Sequence, residues 1–476
     1  MNLHRNRLRG LAAATLFALS AGHAAAEPAD GVLDPTFGNE GITMVAFDTA
    51  AANPIDIALD AVVDGFGRTY LVGTVMTTDG QRIGITRLRA NGTVDTNYGP
   101  DDVGLVVAPE QLGFSLTGVS AALAPDGRLL VGGTLTTNGN DDFALCRFDI
   151  DGSLDAFPNG LQCVKVAFDL NGVGGDKADV LGDIAVQPDG EIVMVGSANF
   201  SDISTRLAMA RLDTNGDLDA DFNTGTGKVT YGTPDGATSM LHSVAIARNG
   251  KIVAAGEVVL DGFTDTDLLV VRMDPDGTID PTFADDGFAV LYPFQSTRNH
   301  VFRKLLLEPG HPQLVLDQQI VAIGSIETEI GSGLHDGLVA RIDADGAPHL
   351  GFGTGGSGYR VDGTGHDLDF NDMVMEPNGN LLVAGTIRGN SNPATTMDYY
   401  VTRLLPDGST DHDGFNPPTG FSLVNLDGSN DIANAIALQN DRIIVAGGSL
   451  TGEAPPNLDF SAIGLLRDRI FANGFD

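Results

Sequence analysis

The chain has 476 residues, 27 Lys and Arg against 63 Asp and Glu, and a formal net charge of −36 at pH 7. A phosphate backbone needs cationic side chains to displace its counterions, so this balance argues against nucleic acid and against an anionic membrane surface as partners. Hydrophobic residues at 42% supply a core and exclude wholesale disorder.

The first predicted element is a secretory leader over residues 1–26. Arg5, Arg7 and Arg9 precede a short apolar run at 11–21, and Ala24, Ala25 and Ala26 offer small residues for cleavage. The run is too short to cross a bilayer as a helix, and no later segment is apolar enough to do so. The mature chain, residues 27–476, is therefore expected in the periplasm or outside the cell.

From residue 33 onward the sequence repeats seven times, with copies starting near residues 33, 94, 154, 218, 279, 349 and 411. A glycine closing an apolar run recurs at intervals of 60 to 68 residues: Gly73, Gly133, Gly196, Gly256, Gly324, Gly385 and Gly447. An arginine column runs in parallel at Arg87, Arg147, Arg211, Arg272, Arg341, Arg403 and Arg467. An aromatic column follows at Phe37, Tyr98, Phe157, Phe222, Phe283, Phe352 and Phe415. A fixed period of this size means one repeat domain, a solenoid or a propeller, and not a string of separate domains.

Within a copy the pattern is four short strands. In copy four they are strand A (243–247), strand B (251–256), strand C (268–273) and strand D, the segment 278–283 with its Asp-x-x-Phe together with the apolar run after it. Asn249-Gly250 and Asp276-Gly277 are hairpin turns between β-branched apolar runs, and no stretch carries a sustained helical period. The chain is predicted to be all-β. Strand B is apolar on both faces in nearly every copy, for instance Ile192, Val193, Met194 and Val195, so it needs cover on both sides. Seven four-stranded antiparallel sheets packed radially provide that cover as a closed seven-bladed β-propeller. An open solenoid would need polar capping repeats, and the terminal copies here resemble the internal ones. The mature chain begins with a D-type segment (32–37), while the last copy ends just beyond its strand C. The N-terminal segment is thus expected to close the ring, with the tail 469–476 as the alternative.

Three strings, Leu-Asp-Pro-Thr-Phe-Gly at 33–38, Gln-Pro-Asp-Gly-Glu-Ile-Val at 187–193 and Asp-Phe-Ala-Leu-Cys-Arg-Phe at 142–148, resemble the delta-60 repeat of bacterial secreted proteins. The resemblance covers nearly the whole mature chain. It implies propeller-like blades similar in layout to NHL-type blades, and it implies no defined activity and no catalytic residues. Copies five to seven depart from the pattern, with an insertion at 308–319, His349-Leu350 where Leu-Asp is expected, and Asn440-Asp441 in place of Asp-Gly.

The arginines sit among apolar neighbours and need carboxylate partners, for which the column Asp34, Asp95, Asp155, Asp219, Asp280 and Asp411 is the natural source. Both columns are read as structural, against a ring of ligand-binding arginines. Cys146 and Cys163 are the two cysteines and are candidates for a disulfide in an oxidising compartment. Acidic turns such as Asp149-x-Asp151-Gly and Asp274-x-Asp276-Gly are read as hairpin turns, because the glycine is fourth and not sixth as in an EF-hand loop. In a meander, the A–B and C–D turns share one end of the blade and are short; the B–C and D–A connections share the other and are expected to be long and variable. Asp142, Asp267, Asp336 and Asp398 recur at the mouth of strand C on that second face and are weak candidates for Ca²⁺, with turn capping as the alternative.

No Gly-x-Ser-x-Gly elbow, His-Glu-x-x-His or phosphate-binding loop is present. The seven mature histidines are scattered and read as surface or loop residues. The sequence therefore points to a non-catalytic binding or surface-interaction module, secreted or periplasmic, working through its variable-loop face on an envelope protein or polysaccharide. The alternative is a propeller hydrolase or lyase using acids such as Asp367 and Asp369, or His335 and His366, near the central channel.

Overall fold

The computed structural model describes residues 29–49, 55–108, 115–170, 178–201, 204–233, 236–293, 298–309, 318–329, 331–363, 365–389, 396–426, 430–451 and 457–467. The expected leader at 1–26 and the tail at 469–476 lie outside these residues. Seven antiparallel sheets account for the regular structure, and the described residues contain no α-helix. Blade 4 is typical: Gly236–Ile246 (A), Ile252–Leu260 (B), Thr266–Met273 (C) and Phe288–Leu291 (D) pair in that order. Blade 2 adds a two-residue strand, Leu154–Asp155, beside its strand C.

Blade 7 is completed from the other end of the chain. Ile42–Val45 pairs with Asn457–Leu466, with Ile42 opposite Ile463 and Val45 opposite Phe460. The N-terminal segment is therefore the fourth strand that closes the ring. Seven hydrophobic clusters form the core, one at each blade junction. The cluster joining blades 7 and 1, with Phe37, Leu71, Ile444 and Phe460 all fully buried, is built like the other six. Strand B lies inside two such clusters at once, which is why it lacks a polar face.

Every strand A carries a β-bulge at the same register, with Leu59, Val119, Gly182, His242, Arg303, Asn371 and Asn434 as the extra residues. The bulge explains the glycine column. A Cβ on Gly256 would overlap the carbonyl oxygen of Met240, and one on Gly73 that of Ile57, so only glycine lets strand B approach the bulged strand.

The two faces differ less simply than the meander suggests. In blades 1 and 2 the B–C connection is a two-residue hairpin, between Thr77 and Gly80 and between Thr137 and Asn140. Longer B–C loops occur in blades 4 to 7, as between Glu327 and His335 and between Arg388 and Met397. The expectation of long B–C loops all round is corrected here: the first copies have fewer residues between the strand B glycine and the strand C arginine, 14 from Gly73 to Arg87 and from Gly133 to Arg147, and close them in a tight hairpin.

Candidate functional site

The repeated columns meet at the blade junctions on the short-turn face. Arg87 Nη2 lies 2.7 Å from Asp95 Oδ2, Arg147 Nε 2.8 Å from Asp155, Arg211 Nη2 2.5 Å from Asp219, Arg272 Nε 2.6 Å from Asp280 and Arg403 Nε 2.8 Å from Asp411. Each guanidinium also stacks on its own aromatic, with Arg272 Cζ 4.7 Å from the Phe283 ring centre and Arg147 Cζ 4.4 Å from that of Phe157. A further nitrogen reaches the next blade: Arg87 Nη1 donates to the Ile150 carbonyl at 2.7 Å and Arg211 Nη1 to that of Pro275 at 2.6 Å. The residue after the aromatic donates its N–H to the next blade's C–D turn, as Asn223 does to Asp276 at 2.8 Å and Ala284 to Asp345 at 2.8 Å; Pro158 has no N–H, and Asn159 donates to Asn215 at 3.4 Å in its place. The turn glycine of the next blade closes over the ring; a Cβ on Gly277 would strike Phe222.

Two blades solve the problem differently. Arg341 has His349 where the acid would stand, and its Nη2 meets Glu308 Oε1 at 2.5 Å instead. In blade 7, Arg467 does not occupy the column. Gly464 stands opposite Ile444 as Arg272 stands opposite Val253, and Phe37 fills the space a side chain there would need. The guanidinium comes from Arg442 at the start of strand B, which binds Asp34 and donates to the Ala90 carbonyl at 3.0 Å. Arg467 pairs with Glu376 at 2.8 Å.

The axis is lined by the bulged residues and those that follow them, around a cavity of about 170 Å³. Asp60, Asp183 and Asp372 come from blades 1, 3 and 6. Asp60 accepts the N–H of Ala61 and of Ala121 in the next blade at 2.7 Å each; Asp372 accepts those of Met373 and Ile436 at 2.8 Å each. Asp183 accepts Ser120 Oγ at 2.6 Å and Val244 N–H at 3.1 Å. Lys304 Nζ stands 3.5 Å from Asp183. Burial works against its charge, but Asp183, Asp60 and Asp372 outweigh it and hold the ammonium protonated. Burial pushes Asp372 up to about 7 and raises Asp60, with Lys304 opposing in both cases. This polar axis was missed in the sequence; the signal was a polar residue recurring inside an otherwise apolar strand A. His242 lines the same cavity and His300 is fully buried, so neither is the surface residue expected.

On the opposite face, the four candidate cation ligands stand in four different blades and do not converge. Asp142 is taken by Lys165 at 2.6 Å and Asp398 by Asn425 Nδ2 at 2.6 Å. Burial raises Asp267 to about 6, helped by Asp265, and raises Asp336. Asp56 and Asp179 open strands A of blades 1 and 3 and are fully buried. Asp179 accepts the Phe168 N–H at 2.6 Å and Asp56 that of Met76 at 3.1 Å. Burial lifts both to about 6. His335 and His366 are not brought together: His366 lines a separate cavity of about 340 Å³ with Asp362 and Tyr400. His335 instead meets Asp367 and Asp369, the one potential metal-binding group among the described residues. Cys146 and Cys163 lie directly opposite each other on strands C and D of blade 2 and are disulfide-bonded.

Three segments, residues 124–157, 187–222 and 247–283, match the family described as a domain of unknown function (DUF5122) beta-propeller. Each runs from an A–B turn to the aromatic of the junction, so the match rests on strands B and C and the clasp. It supports a β-propeller repeat family for this chain. No curated protein matches in sequence. Among solved structures, the chain is similar to the polysaccharide lyase Uly1 (11% identity, 92% of this chain and 97% of that one, TM-score 0.48). It is also similar to BamB from Moraxella catarrhalis (13%, 86% and 86%, TM-score 0.37). A third is an α-L-arabinofuranosidase from Fusarium graminearum in complex with an iminosugar inhibitor (12%, 72% and 92%, TM-score 0.40). None of these likenesses carries a statement about what this chain binds or turns over.

Proposed function

We propose that the chain is a non-catalytic binding module, exported to the periplasm or beyond, which engages an envelope polysaccharide or protein through the loop face of blades 4 to 7. The observation that carries this reading is the commitment of the axial carboxylates. Asp60, Asp183 and Asp372 accept hydrogen bonds from the neighbouring blade and so hold the ring together, which supports a structural role for them over acid–base work. The acids Asp367 and Asp369 support a hydrolase less well. A glycosidic bond must lie between the two carboxyls, and His335 Nδ1 occupies that space, 3.5 Å and 3.6 Å from their oxygens. The loop face offers an exposed cation in an acidic protein, Arg388, with its side chain 54% exposed. The Cys146–Cys163 disulfide supports an oxidising compartment.

The test is affinity electrophoresis and pull-down on isolated envelope fractions, run beside an assay for new reducing ends. Saturable retention without product, weakened by Arg388→Glu, is expected. Release of reducing ends, or retention indifferent to loop-face substitutions, contradicts the proposal.

A further inference from the structure

Strand C of blade 5 begins at His335, and strand A of blade 6 begins at Asp367. Asp367 and Asp369 are two residues apart on one strand, so both side chains project to the same side of the sheet. The His335 N–H donates to Asp367 Oδ1 at 2.8 Å and fixes the two blades against each other at this point. His335 Nδ1 then stands 3.5 Å from Asp367 Oδ1 and 3.6 Å from Asp369 Oδ1. One donor atom from each of the three residues lies within 4.8 Å of those of the other two.

These separations are long for hydrogen bonds to the imidazole. They match the edge of a coordination tetrahedron: ligands about 2.1 Å from a central cation stand roughly 3.4 Å apart. Asp369 Oδ1 is shut off from solvent and accepts no hydrogen bond. A desolvated carboxylate oxygen without a donor is costly, and a cation is the simplest remedy. Two arginines stand outside the triad, Arg388 Nε 3.7 Å from Asp367 Oδ2 and Arg303 Nη2 3.9 Å from Asp369 Oδ1, too far for either to supply that hydrogen bond.

The geometry points to a divalent first-row metal site of the Zn²⁺ type, held by His335, Asp367 and Asp369 at the junction of blades 5 and 6. The mixed nitrogen and oxygen donors of His335, Asp367 and Asp369 suit such an ion better than Ca²⁺, which takes six to eight oxygens. The side chains of His335 and Asp369 are about one-third exposed, so an ion can reach the group from solvent. The inference is independent of the binding-module reading.

The experiment uses the untagged full chain, treated with EDTA and dialysed, and titrated calorimetrically with Zn²⁺ and with Ca²⁺. Visible absorption after Co²⁺ addition reports the coordination. One Zn²⁺ per chain is expected, with a Co²⁺ spectrum of low coordination number and at least about a tenfold loss of affinity in Asp369→Asn and in His335→Gln. Metal-free melting curves of the two variants, matching the unsubstituted chain, establish that they fold. Absence of stoichiometric Zn²⁺ binding, binding unchanged in both folded variants, or tighter binding of Ca²⁺ than of Zn²⁺ overturns the assignment.

Discussion

At the scale of single residues, the arginine column shows how much a repeated position reveals. Seven arginines at one spacing, flanked by apolar residues, announce buried charge; the structure supplies the rest of each clasp, an acid, an aromatic and the next blade's turn. What the spacing concealed was Arg442. It reaches Asp34 from the neighbouring strand, and the nearest arginine in sequence, Arg467, falls three residues past the true position at Gly464. The clasps also differ in what they leave behind when broken. Arg211 lies between Asp219 and Glu191, and removing it strands the buried Asp219 carboxylate beside the partly buried Glu191. Arg211→Ala is expected to cost about 3–5 kcal/mol in denaturant unfolding. Arg272→Ala is expected to cost clearly less, because Lys251 Nζ remains 2.9 Å from Asp280. Equal losses would show that the second cation contributes nothing.

At the scale of elements, the start of strand A is a titrating device. Asp56 and Asp179 each tie down the backbone around the loop face while buried beside other acids, Asp459 and Asp48 in one case and Asp142 and Asp169 in the other. Their folded pKa values of about 6 lie above the unfolded value, so folding takes up protons. Their stabilising contribution is complete below about pH 4 and is lost as pH rises through 6. Asp372 at about 7 and Asp267 at about 6 act in the same sense. Asp34, Asp95 and Asp280 are held below the usual range because hydrogen bonds and cations outweigh their burial, so their contribution is lost only in stronger acid. The melting temperature is therefore expected to rise from about pH 7.5 to about pH 5 and then fall. In Asp56→Asn with Asp179→Asn the rise should shrink; an unchanged rise would remove these two residues from the account. Strands B and C were legible from their apolar runs and turn glycines. The bulge in strand A was not, since an extra residue leaves no mark on composition and shows itself only through the glycine it demands on strand B.

At the scale of the whole molecule, the blade count and radial packing followed from the period and from strand B, whose two apolar faces call for neighbours on both sides. The metal-ligand group was not legible. His335 and Asp367 belong to different copies, and their meeting depends on loop lengths in blades 5 and 6 that no column repeats. Ring closure is the claim on which the axis, the junction clasps and the loop face all depend, because each is defined relative to a complete circle. Amide hydrogen exchange on the strand Ile42–Val45 tests it directly. If that strand is the fourth member of blade 7, its ladder amides exchange as slowly as those of Arg442–Thr451, opening only with the whole ring. Exchange at the rate of an unstructured chain, with Arg442–Thr451 still protected, would contradict closure by the N-terminal segment.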